Sequence, residues 1–208
     1  MNTNRFSLLS ALLLSLMVAC GPGEEQSQEE VVAEEPVSCR SLPNRICQEG
    51  LMIAAMGDYL AEVDWEAETD EAVEITDSLE SQGGYLWLTR SIDLAEGRLL
   101  IEGEFIDERV ANDTLLSESK INRIRIESPS FRTMEGIRVG STTADLMKAF
   151  PNADMGLIPL TAYGLMDVQP DSSHIHFLIP LPENLPEEGP ISPEMLPADG
   201  EVRMIVIQ

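Results

Sequence analysis

Two histidines and a nearby set of hydroxyl and carboxyl side chains have the types and spacing that invite chemistry. His174 and His176 stand two apart, so on a strand they share one face, and two imidazoles on one face are part of a zinc or copper site. Spacing nominates no third ligand, and Ile175, Phe177 and Ile179 claim the inner face, leaving the histidines on the wetter side. Asp171-Ser172-Ser173-His174 holds the side-chain types of a hydrolase triad. Sequence neighbours rarely aim at one another, triads are assembled from distant segments, and no Gly-x-Ser-x-Gly elbow raises a nucleophile. Carboxylates at Asp64, Glu66, Glu68, Asp70 and Glu71 suggest calcium, but the stretch lacks the glycine of an EF-hand loop and reads as a solvated acidic turn. The turn at Gly140-Ser141-Thr142 lacks the lysine and glycine spacing of a phosphate loop. The expectation is no catalytic residue, no metal and no cofactor.

Arginines supply the next candidate. Arg123, Arg125, Arg132 and Arg138 lie between Lys120 and Lys148, with only Glu127, Glu135 and Asp145 in the same stretch. A local positive patch on an acidic protein can steer an acidic partner, an anionic glycan or a lipid head group. The simpler account, and the one preferred, is that these arginines pair with the domain's own carboxylates.

The third set is the cysteines. Arg5 precedes an apolar run from Phe6 to Val18, then Ala19 and Cys20. A run of about thirteen residues is too short to cross a bilayer of roughly 30 Å as a helix, and its parts are those of a cleaved secretory signal. Leu16-Met17-Val18-Ala19-Cys20 resembles the bacterial lipobox, with Met17 where that motif usually has leucine. The resemblance implies residues 1–19 as a signal peptide and a fatty thioether on Cys20. Several acyl chains together hold a protein stably at a membrane. Gly21 is not the aspartate that retains such proteins at the inner membrane, which points to the outer membrane, facing the periplasm. With Cys20 acylated, Cys39 and Cys47 remain as a pair in an oxidising compartment. Their disulfide would contribute about 2.5 kcal/mol by loop closure.

Composition agrees with one folded domain on a tether. The hydrophobic fraction of 43% is ordinary for a globular chain, and a net charge of −24 argues against nucleic acid as a partner. Residues 20–38 are rich in glutamate and poor in anything to bury, so they read as a flexible spacer with a reach of about 25 Å. Residues 39–208 are expected to form a single α+β domain, mainly an antiparallel sheet with two or three packed helices.

Several elements would position the candidate side chains. From Leu51 to Val63, Met52, Ala55, Met56, Tyr59 and Leu60 recur at helical steps, although Gly57 weakens that pattern. Gly83-Gly84 marks a turn before a strand at Tyr85–Thr89, which would pair with Arg98–Ile106. Ile124 and Ile126 alternate with Arg123 and Arg125 in another strand. Thr142 caps a helix carrying Leu146, Met147 and Phe150, ended by Pro151. Ala162–Val168 and His174–Ile179 read as strands, and Val202–Ile207 as an interior strand.

Ile121-Asn122-Arg123-Ile124-Arg125-Ile126, Gly136-Ile137-Arg138-Val139-Gly140-Ser141-Thr142 with Asp145-Leu146, and His174-Ile175-His176-Phe177 before the terminal strand make the last ninety or so residues resemble the RpoE-regulated lipoprotein family. That resemblance implies an envelope lipoprotein of α+β fold with no established activity, and it supplies no catalytic residues. The function expected is a non-enzymatic structural or interaction module whose partners are the membrane, through its anchor, and another envelope component. The alternative is a metal-binding or hydrolytic lipoprotein using His174 and His176. A weaker idea is a ligand carrier with the Met-rich helix lining its cavity.

Overall fold

A computed structural model describes residues 38–63, 72–157, 164–182, 191–197 and 199–208. The leader, Cys20, the acidic spacer and the carboxylates from Asp64 to Glu71 lie outside the described residues.

Among the described residues nine strands form one antiparallel sheet: β1 (Ala72–Gln82), β2 (Tyr85–Leu94), β3 (Arg98–Gly103), β4 (Ile106–Asp107), β5 (Ile121–Ile126), β6 (Asp154–Leu157), β7 (Leu165–Gln169), β8 (Ile175–Pro180) and β9 (Met204–Ile207). Their order is β1-β2-β3-β5-β9-β8-β7-β6, with β4 paired to β2. The expected pairing of β2 with β3 is present, and β9 lies between β5 and β8 as an interior strand. Gly83 and Gly84, at φ 63° and 85°, turn β1 into β2, as a two-residue hairpin requires.

Expectation and structure part over the helices. Among the described residues the chain is not an α+β domain with two or three packed helices but a nine-stranded antiparallel sheet, and one helix packs into its core. That helix, α2 (Thr143–Ala149), begins where the sequence places it, with the Thr142 side chain accepting from the Asp145 amide and Leu146 fully buried. The other, α1 (Asp113–Ser117), buries no residue. The helix expected over residues 51–63 is absent: Leu51 and Ala54 exchange backbone hydrogen bonds, Asp58 caps the Ala55 amide, and Gly57 adopts φ +86°. Only a 3-10 turn at Leu60–Glu62 remains. Leu51, Ala54, Ala55 and Leu60 are buried nonetheless, so their spacing reflects docking of an irregular strap rather than helical repetition. The strap is sewn down by backbone bonds from Gly57 to Ile121, from Ile121 to Asp58 and from Leu60 to Ser119. A Cys39–Cys47 disulfide closes its start.

One face of the sheet is core. Ile101, Ile124, Phe177, Ile205 and their neighbours meet a covering layer that includes Ile46, Leu51, Phe131, Ile137, Leu146 and Val202. Strand alternation turns every second residue to the other face. That second face carries the polar residues of the same strands.

Candidate functional site

On β5 the alternation is plain: Ile124 and Ile126 enter the core, so Arg123 and Arg125 project from the opposite face. Register places Glu102 of β3 directly across from Arg123. Glu102 is only 1% exposed, and a lone carboxylate there would carry a large desolvation cost. Both guanidinium groups answer it: Arg123 donates through Nε to Glu102 Oε2, and Arg125 approaches Oε1 through Nη2. Arg123 also stacks over the Phe105 ring at 5.2 Å, and Phe105 meets Trp87 edge-on at 4.9 Å. Of the four arginines read as a patch, these two converge. Arg132 and Arg138 are exposed on the covering layer over the other face, beside buried Phe131 and Ile137.

Two strands from β5, β8 repeats the pattern. Ile175, Phe177 and Ile179 are core, as expected, while His176 and Leu178 face the side of the arginines. His176 Nδ1 lies 2.8 Å from Asp167 Oδ2 on β7. A carboxylate only accepts, so Nδ1 is the protonated nitrogen, and the Gln208 amide approaches Nε2 at 3.4 Å. His174, one residue before the strand, turns to the Gln208 carbonyl at 3.0 Å. The two histidines therefore do not act as a pair. Among the described residues no group of three His, Cys, Asp or Glu side chains could hold a metal ion. Ser173 is likewise not placed as a nucleophile: its hydroxyl is engaged with Gln48 and the Ile175 amide.

Arginine and histidine clusters line the same cavity of about 310 Å³. Its walls include Glu80 and Trp87 from the β1–β2 hairpin and Leu165 and Asp167 from β7. β1 and β7 are six strand positions apart, about 29 Å along a flat sheet. Residues of both strands lining one small cavity means that the sheet curls and that this face is concave. Val206, Met204 and Leu178 make an apolar floor between the charged walls. Register aligns Arg125 with Val206 and Val206 with His176, so arginine and histidine stand on either side of that floor.

Polar atoms around this face are left without partners. Among the described residues, Trp87 Nε1, Arg125 Nε and Asp167 Oδ1 are buried and make no hydrogen bond, and all three residues line the cavity. Thr89 Oγ1, on the strand position opposite Glu102, is a fourth. Each such group costs about 1–3 kcal/mol while unsatisfied. These atoms are closed to solvent, so a molecule in the cavity meets them only after their side chains turn.

Sequence reading brought Arg123, Arg125 and His176 forward separately. It missed Glu102, Trp87 and Asp167 as site residues. Glu102 does carry a signal, since its alternation with Leu99 and Ile101 puts it on the polar face of its strand, but only register shows what it meets.

No family model matches the chain, and no curated protein matches it in sequence. Among solved structures, the uncharacterized protein yfeY from Escherichia coli is similar at a TM-score of 0.52 and 14% identity, covering 80% of this chain and 99% of that one. At that identity the likeness is one of fold: a bacterial protein has the same architecture over nearly its whole length.

Proposed function

We propose that this chain is a non-enzymatic binding module of the bacterial envelope, held to the outer membrane by lipid on Cys20 and facing the periplasm. Binding rests on a single observation: the concave face of the sheet encloses a cavity whose lining residues Trp87, Arg125 and Asp167 hold buried polar atoms without partners. The address is supported by the leader ending at Cys20 and by the Cys39–Cys47 disulfide, which suits an oxidising compartment.

Native mass spectrometry of the full-length gene product, extracted from membranes of a Gram-negative host, tests both halves. The expected product begins at an acylated Cys20 and carries a non-covalent adduct. Leu178→Trp and Val206→Phe, which fill the cavity from two different strands, should each lose that adduct. A soluble product with Met1 intact would overturn the address. A wild-type chain without an adduct, or one whose adduct survives both cavity-filling substitutions, would overturn the binding function.

A further inference from the structure

We infer that the open edge of β1 takes an extended segment of a partner protein as an added antiparallel strand, with lysine or arginine on one side of that segment and aliphatic residues on the other. β1 ends the sheet and pairs only with β2 among the described residues. The opposite edge, β6, has four residues, the short form that discourages pairing, whereas β1 runs for eleven. β1 contains no proline, lysine or arginine to block its edge. A charge on the core side of an edge strand also repels an added strand. Here that charge is Asp77, and Arg90 of β2 binds both of its oxygens, so it is neutralised within the sheet.

Register fixes which backbone groups are on offer. Gly83 and Gly84 make a two-residue turn, so Gln82 and Tyr85 form a hydrogen-bonded pair and every second pair beyond them does the same. β2 agrees, because Leu94, of the other parity, donates to Gly97 on the way to β3. Ile75, Asp77, Leu79 and Ser81 therefore turn their N–H and C=O groups to the open edge. Directly opposed residues of an antiparallel pair share a face. The residues of an added strand that bond to this edge would thus lie beside Leu79, which is 54% exposed, and half-buried Ile75. Its alternate residues would meet Glu74 and Glu80, both exposed on the concave side, where opposite charge across a strand pair is favourable and like charge is not. Two copies of β1 paired about Asp77 would set Glu74 against Glu80, so the edge suits a basic strand better than a second copy of itself.

Isothermal titration of the intact protein with the peptide acetyl-Lys-Val-Lys-Ile-Lys-Val-Lys-amide tests this beside three relatives. One has glutamate for lysine, one is N-methylated at its aliphatic residues, and one is N-methylated at its inner lysines. The lysine peptide should bind, and the glutamate peptide should bind about tenfold or more weakly. Methyl groups on the aliphatic residues remove the N–H groups that meet β1 and should also cost about tenfold or more, whereas those on the lysines point away and should cost less than about threefold. Amide exchange at Ile75, Asp77, Leu79 and Ser81 should slow when the lysine peptide binds. Leu79→Pro, which removes one outward N–H and leaves the β2 ladder complete, should weaken binding about tenfold, and the methylated peptides on the wild-type protein give the answer even where that variant folds poorly. Equal loss from the two methylation patterns, glutamate binding as tight as lysine, or binding without slowed exchange at those four amides would overturn the inference. So would no binding of the lysine peptide up to about 10 mM.

Discussion

Glu102 and Arg123 stand directly opposite one another on β3 and β5, and the carboxylate they share with Arg125 is 1% exposed. A buried ion cluster of this kind is costly to break and not costly to replace as a whole. Glu102→Gln should therefore lower the unfolding free energy by about 3–5 kcal/mol, because two partly buried guanidinium groups lose their counter-charge. Replacing Glu102, Arg123 and Arg125 together by apolar residues of similar volume should be near neutral. Urea denaturation measures both, and a loss below about 1 kcal/mol for the single substitution would count against the buried cluster.

Along the strap that covers the core, the Cys39–Cys47 link closes a short loop just ahead of Leu51. Cys39→Ser with Cys47→Ser should cost about 2–3 kcal/mol by the loop-closure model. Reductant should bring the wild-type protein down to the stability of that variant. A melting temperature unmoved by reductant would show that the link contributes nothing.

Asp77 on β1 receives two hydrogen bonds from Arg90 on β2, both at 2.7 Å. Those bonds, with the Arg90 charge behind them, hold the Asp77 carboxyl below its usual range despite partial burial. A carboxyl lowered by folding adds stability above its unfolded pKa near 3.9, and that increment is lost as pH falls through the folded value. Because Asp77 is largely exposed, solvent screening keeps the increment to about 0.5 kcal/mol. Asp77→Asn should thus be slightly less stable than wild type at pH 7 and indistinguishable from it well below pH 3. An equal deficit at both pH values would contradict the ion-pair account.

Leu146, with no exposed surface, is the anchor of α2, which packs into the core. Leu146→Ala should cost about 2–5 kcal/mol, whereas Leu115→Ala on α1, where the side chain is 42% exposed, should stay within about 0.5 kcal/mol. Similar losses at the two positions would mean that α1 also packs.

What could be read from the chain follows from where its cause lies. Thr142 with Asp145, the Gly83-Gly84 turn and the apolar β9 are local, and each stands where residue type alone demands it. β1 is hard to read because its apolar side is thin: Ile75 and Leu79 alternate with Glu74, Thr76, Ser78 and Glu80, but Asp77 interrupts them on the same side, as suits an edge strand. The helical pattern from Leu51 misled because burial was real while the backbone, with Gly57 at φ +86°, was not helical. The site needed two quantities that a single chain does not display. One is register, which sets Glu102 against Arg123, and the other is the curl that brings Asp167 and Trp87 to one cavity.

The most direct test of a ligand on the concave face is a crystal structure of the protein taken from membranes under native conditions. Density not belonging to the chain should lie in the cavity between Arg125 and Asp167, with Arg125 Nε, Trp87 Nε1 or Asp167 Oδ1 turned out to meet it. A cavity closed by the protein's own side chains, with those three atoms bonded to each other or to the rest of the chain, would contradict it.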